Sequence, residues 1–192
     1  MCGRTSLYLP QSVVEARFGA SSEKPLDPRY NVAPFDDQAI ITNEAPETIQ
    51  LVEWGFLPEW ADTPESTYRP INARAETVTE TPMFQKAYSQ RRCLVLVDGY
   101  YEWRPRESGP SQPYRITMAE EEPFAMAGLY SRWQSNEMRI DTTTIITTAA
   151  NGRLSTIHDR MPVILPAYSE RTCLHGDPDT LADSLLKPYA KS

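Results

Sequence analysis

The sequence predicts an α+β fold, a single compact domain built on a mainly antiparallel, barrel-like β-sheet with short flanking helices. Three observations carry that expectation. Strand-like runs outnumber helical ones. No repeat period and no flexible linker divides the chain. With 192 residues, 40% of them hydrophobic and 23% charged, the chain is long enough and apolar enough for one real core. The domain is expected to span residues 1–192, with 166–192 as a C-terminal helical extension.

Each element follows from local pattern. "SVVEARF" (Ser12 to Phe18) places a serine cap ahead of helical apolar spacing and predicts a short helix. "QAIITN" and "TIQLVEW" predict strands flanking a turn at Asn43–Glu47. "GFLPEWADTPESTYRPINARAE" is rich in proline and aromatics without periodicity, which predicts an ordered loop. "PMFQKAYSQ" has proline at the first position of a predicted helix. "CLVLVDGYYEWR" predicts two strands joined or bent at Asp98-Gly99, with Cys93 as a buried core thiol. "QPYRITM", "PFAMAGLY" and "TTTIITT" are further strands. "AANGRLSTI" predicts a short helix weakened by Gly152, "MPVIL" a strand, and "DTLADSLL" a closing helix.

Composition excludes several classes. No apolar run approaches the ~20 residues of a membrane span, and no signal peptide is visible at the N-terminus. Cys2, Cys93 and Cys173 form neither a CxxC pair nor an even set, so a reducing, cytoplasmic setting is expected. Only Cys173 and His175 lie close together, which gives a metal site little support. The net charge of −7 argues against a generic polyanion binder. Yet lysines are scarce, and arginines recur beside aromatics and turns: Arg4, Arg29, Arg69, Arg74, Arg104 and Arg160. The planar guanidinium suits phosphate, so a local basic groove on an acidic body is compatible with the composition.

Five stretches carry candidate chemistry. In "MCGR", loss of the initiator methionine would leave Cys2 with a thiol and a free α-amine on one two-carbon unit; an ordinary small residue at a frayed terminus is the plainer alternative. In "DGYYEWR", alternation puts Tyr100, Glu102 and Arg104 on one face and Tyr101 and Trp103 on the other. Glu102 is then either a solvated glutamate beside Arg104 or a buried carboxyl with a raised pKa, and in both settings an acid/base candidate. "STIHDRMPVIL" sets His158 between a helix and a strand, as a proton carrier or as a turn residue. "PINARAE" puts Asn72 and Arg74 on one face if extended, and "WGFLPEW" supplies Trp54, Phe56 and Trp60 as core or as stacking surface.

Taken together, "MCGR", "RYNVAP", "WGFLPEW", "INARAET", "DGYYEW" and "IHDRMPVIL", in this order, resemble the SOS-response-associated peptidase (SRAP) family from Cys2 to about Leu165. The resemblance implies a mixed α/β barrel-like domain that binds single-stranded DNA and crosslinks to abasic sites. It implies Cys2 as nucleophile after loss of Met1, with Asn72 orienting its backbone or amine and Glu102 and His158 handling protons. Arg4, Arg74 and Arg160 are expected near the DNA backbone, and Trp60 with the loop around Pro34 is expected to form a wall against the bases. The partner implied is single-stranded DNA bearing abasic sites, including those at single-strand/double-strand junctions. The protein is expected to be a cytoplasmic monomer that associates with the nucleoid when DNA-bound, with no membrane, metal or cofactor. Three other functions use the same residues: a cysteine peptidase, self-processing or general; an N-terminal-nucleophile amidohydrolase; and a non-catalytic DNA-binding module.

Overall fold

The strands with the longest apolar runs close on one another. The computed structural model describes residues 2–22, 24–65, 68–136 and 138–190. Along the chain come β1 (Thr5–Leu7), α1 (Gln11–Phe18), β2 (Ser21–Ser22), β3 (Arg29–Val32), β4 (Asp37–Thr42), β5 (Ala45–Trp54) and β6 (Asn72–Arg74). They are followed by α2 (Pro82–Gln90), β7 (Arg92–Val97), β8 (Gly99–Arg104), β9 (Gln112–Ile116), β10 (Phe124–Gln134) and β11 (Arg139–Ala149). A 3₁₀ turn (Leu154–Thr156), β12 (Arg160–Pro162), β13 (Ile164–Leu165), α3 (Ala167–His175) and α4 (Pro178–Leu185) complete the order. Strands β11, β10, β7, β4 and β5 pair in sequence, and β5 returns to β11, so five strands form a barrel. Its closing pair, Thr142↔Glu53 and Thr143↔Trp54, is parallel, while the other pairs of the ring are antiparallel. Strands β6 and β12 extend β11, and a second sheet of four strands runs β3-β1-β8-β9. The expected α+β barrel is therefore the fold that forms.

Period-two alternation sorts the barrel residues into two cores. Ala39, Ile41, Leu94, Leu96, Ala125 and Ala127 join the helix residues Val14, Phe84, Tyr88, Leu174 and Leu181. That is the outer face, because a barrel of five strands is too narrow to enclose a helix. The alternate residues Ile40, Val52, Val95, Met126, Tyr130 and Ile145 face inward, and this core continues into Val32, Tyr100 and Cys2. The interior is tight at Gly128, where an added Cβ would lie 2.7 Å from the Val95 side chain and 2.9 Å from the Thr144 carbonyl oxygen. On the outer face, buried Arg92 donates hydrogen bonds to the carbonyls of Tyr88, Ser89, Cys173, Leu174 and Gly176. One guanidinium thereby satisfies the otherwise orphaned C-terminal carbonyls of α2 and α3.

The second sheet hangs on Asp98, at the bend between β7 and β8. Its carboxylate is 1% exposed and accepts from Ser6 Oγ at 2.6 Å, Tyr8 N at 2.6 Å, Leu9 N at 3.1 Å and Arg115 Nη2 at 3.0 Å. Strand β1 is thereby held in register against β8, Thr5 opposite Tyr100 and Ser6 opposite Gly99.

Several elements depart from the sequence expectation. Helix α1 starts at Gln11 behind Pro10 with no side-chain cap, so Ser12 is not its cap. The hairpin turn is confined to residues 43–44, and β5 begins at Ala45. The predicted loop contains β6, whose backbone pairs in parallel with β11. Around Gly152 the expected helix is reduced to the 3₁₀ turn, where Asn151 Oδ1 accepts from Leu154 N at 3.0 Å and favours a turn over a helix. "MPVIL" splits in two. Pro162 has no N–H to donate, and the chain changes partner at Val163, whose N–H bonds Ile146 of β11 while its carbonyl accepts from Ala127 of β10. Strands β1, β2 and β3 have no counterpart in the sequence reading, whereas α3 falls within the expected C-terminal helical extension.

Replacing Asp98 with alanine removes the acceptor of the Tyr8 and Leu9 N–H groups and of the Ser6 hydroxyl, and the carboxylate partner of Arg115. We expect Asp98→Ala to lower unfolding stability by about 3 kcal/mol or more, measured as a shift of the urea midpoint at unchanged slope.

Candidate active site around Cys2

Chain ends are commonly exposed, but here the second residue is fully buried. The Asp98 anchor explains why: it fixes β1, and the Arg4 carbonyl accepts from Tyr101 N at 2.9 Å, extending the pairing toward Cys2. Asn72, on β6 and therefore positioned by β11, donates from Nδ2 to the Cys2 carbonyl oxygen at 2.9 Å. Asn72 Oδ1 is buried and has no hydrogen-bond partner among the described residues. Burial, and secondarily the Glu102 carboxylate, push the Cys2 thiol well above its ordinary pKa.

Of the two orientations open for β8, the one that buries Glu102 is adopted. Tyr100 is fully buried and Glu102 is 4% exposed, whereas Trp103, on the opposite face, is 40% exposed. Arg104, farther along the Glu102 face, reaches solvent. Removal from water raises the pKa of Glu102, and nearby positive charge, His158 included, pulls it back down. The site thus has a carboxyl held closer to neutrality than an exposed glutamate, with a thiol and an imidazole in its field.

His158 follows the 3₁₀ turn, its N–H bonded to the Leu154 carbonyl at 3.0 Å. Its Nδ1 accepts from Arg160 N at 2.9 Å and also lies 2.8 Å from Asp159 Oδ1. The first contact requires a bare Nδ1 and the second a protonated one. With Nδ1 accepting from Arg160 N, the neutral ring keeps its proton on Nε2.

The predicted DNA-facing residues divide into two groups. Arg160 is already engaged: its guanidinium grips both Glu76 oxygens at 2.6 and 2.9 Å and the Thr147 carbonyl at 2.7 Å. It braces β12 beside His158, and the same pairing lowers the pKa of Glu76. Arg74 is exposed; its carbonyl accepts from Thr77 N at 3.2 Å, but its guanidinium makes no hydrogen bond to any described residue. Arg4 reaches Asn31 Oδ1 at 3.0 Å, next to the loop that contains Pro34. Trp60 is 63% exposed on a loop that is otherwise anchored, with Trp133 Nε1 donating to the Ala61 carbonyl at 2.7 Å and Glu59 paired to Lys86 and Arg91. In the same region Phe35 has a φ of 71° and lies across Gly55, with the Arg69 guanidinium over its ring.

Sequence reasoning missed two residues here. Asp98 read only as a bend, and Tyr100 only as the companion of Glu102; alternation with Glu102 was the available signal that Tyr100 lies on the same buried face. Two surface hollows, of about 580 and 380 Å³, lie on the β3–β5 side and beside Glu53 and Arg139. Neither is lined by Cys2, Asn72, Glu102 or His158. Among the described residues, no group of three His, Cys, Asp or Glu side chains is arranged to hold a metal ion, and no helix is long and apolar enough to cross a membrane.

The chain and its fold are similar to those of known proteins. The abasic site processing protein YoqW of Bacillus subtilis (strain 168) is 39% identical over 197 residues, covering 98% of this chain and 88% of its own length. The abasic site processing protein YedK of Escherichia coli (strain K12) is 33% identical over 179 residues, covering 89% of this chain and 78% of its own. A crystal structure of a protein from Bacteroides thetaiotaomicron superimposes with a TM-score of 0.91 at 33% identity, covering 99% of this chain and 88% of the other. The family model for SOS response associated peptidase matches residues 1–192. With the whole chain matched and the barrel shared, the protein belongs to the SOS response associated peptidase (SRAP) family.

Proposed function

We propose that this protein captures abasic sites in single-stranded DNA by forming a covalent thiazolidine through Cys2, once Met1 has been removed. The observation that carries this reading is the burial of the second residue beside a buried carboxyl, with an asparagine amide on its carbonyl. The names of the relatives, abasic site processing proteins, support the substrate class.

An abasic deoxyribose opens to an aldehyde at C1′, and His158 assists that opening. The free α-amine of Cys2 adds to the aldehyde, and loss of water gives a Schiff base. The Cys2 thiol then adds across the carbon–nitrogen double bond and closes a five-membered ring. Only an N-terminal cysteine carries an amine and a thiol at this spacing. Asn72 holds the Cys2 carbonyl and offers its unpartnered Oδ1 to the amine. Glu102 takes protons from the amine and returns them to the departing water, a task suited to a carboxyl whose pKa burial has raised. Arg74 and Arg4 bind backbone phosphates, while Trp60 and the Pro34 loop meet the bases. Arg160 acts through its brace on β12 and His158, and a phosphate near it competes with Glu76.

A general cysteine peptidase is the weaker reading. Such enzymes depend on a thiol whose pKa is lowered, and burial together with Glu102 moves Cys2 the other way.

Three outcomes test the proposal. Intact-mass analysis after incubation with single-stranded DNA carrying one abasic site is expected to show protein lacking Met1, plus DNA, minus one water. A mature Cys2 terminus that yields no adduct would refute the mechanism. Glu102→Gln is expected to slow adduct formation by about 100-fold or more and to remove an acid limb lying above the ordinary glutamate value of ~4.3. The stability effect has the opposite sign. A raised native pKa costs stability once pH exceeds the unfolded value, so Glu102→Gln should be more stable than the parent at neutral pH, with the difference vanishing below about pH 4. Finally, Arg74→Ala should weaken DNA binding and reduce the slope of log K against log salt by about 1.

A further inference from the structure

Tyr100 stands two residues before Glu102 on the same strand, and alternation puts both side chains on one face. It is fully buried in the inner core that also contains Cys2. Its hydroxyl has no hydrogen-bond partner among the described residues. Phenylalanine would fill the same space without burying an unsatisfied hydroxyl, so the extra oxygen weakens the core as it stands. Other buried hydroxyls share that condition, Tyr130 and Thr144 among them, and Tyr130 belongs to the same core as Cys2; of the three, Tyr100 alone also stands on the strand face of Glu102. The charges of Cys2 and Glu102 both act on the phenol and, behind the larger effect of burial, raise its pKa. Tyr100 therefore stays protonated and keeps a hydrogen to donate.

We propose that the Tyr100 hydroxyl is a further catalytic group of this site, donating a hydrogen bond to the Cys2 sulfur as that sulfur adds to the imine carbon. This inference rests on the crosslinking reading above and specifies its ring-closing step. In that step the Cys2 S–H bond breaks and its proton passes to the Glu102 carboxylate. The sulfur lone pair forms the new C–S bond, and the π pair of the iminium returns to nitrogen. A cation and a carboxylate become a neutral ring amine and a carboxylic acid, with nothing oxidised or reduced. As the proton leaves, negative charge collects on a sulfur that burial and Glu102 both disfavour as a thiolate. A neutral donor is the group that can stabilise that charge without adding a competing base.

The test is Tyr100→Phe, followed by single-turnover reaction with abasic-site single-stranded DNA and borohydride trapping at each time point. The expected result is a ring-closure rate lowered by about tenfold or more, transient accumulation of the borohydride-trappable Schiff base, and unchanged DNA affinity. Urea unfolding of the variant is expected to match or exceed the parent, because an unsatisfied hydroxyl is gone. Ring closure at the parental rate would overturn the proposal, as would a variant that unfolds at lower urea, since the hydroxyl would then have a structural partner. If the parent itself forms no adduct, the crosslinking reading fails first, and that result is distinct from either outcome for the variant.

Discussion

The carboxylate of Asp98 is the constraint on which the rest of the site depends. It collects donors from Ser6, Tyr8, Leu9 and Arg115, and so ties the first strand to the bend between β7 and β8. A three-residue strand has too little pairing of its own to stay put. With both oxygens of a buried carboxylate occupied by strand and arginine donors, slipping by one residue would strand several of them at once. Register is therefore fixed from the inside. It is this register that places Arg4 against Tyr101 and delivers Cys2 into the core that Tyr100 lines.

The barrel supplies the other half of the site. Alternation along β7, β10 and β11 gives an outer face for the helices and an inner face of Val95, Met126 and Ile145. Because β11 also pairs with β6 and β12, a single central strand positions Asn72 on one side and the approach to His158 on the other. The acidic composition is compatible with the proposed polyanion partner because of how the charges are used. Glu59 and Glu76 are spent on Lys86, Arg91 and Arg160, whereas Arg74 faces solvent.

Much of this was legible in the chain itself. The β4–β5 hairpin, helix α2 and the bend at Asp98-Gly99 all followed from alternation, an N1 proline and turn chemistry, because in each the local signal agrees with the tertiary outcome. The misses have the opposite character. Strands β1, β3 and β6 are short and polar, and are strands only because distant partners pair with them. Pro10 takes the position at which Ser12 would have capped α1. Which face of β8 is buried could not be settled locally, since aromatics stand on both; the packing of Tyr100 against the inner core decided it, and the environment of Glu102 followed. Arg160 was picked out in the sequence as a candidate DNA-facing arginine, but its bidentate hold on Glu76 depends on a contact between remote segments.

The parallel pair that closes the barrel joins Glu53 and Trp54 to Thr142 and Thr143, residues far apart along the chain. The site draws its side chains from equally scattered places: Cys2, Asn72, Tyr100, Glu102 and His158. During synthesis the first of these leaves the ribosome long before the last is made. Cys2 therefore spends most of translation outside any barrel. Its enclosure is a late event, set by how long the chain takes to reach its final third.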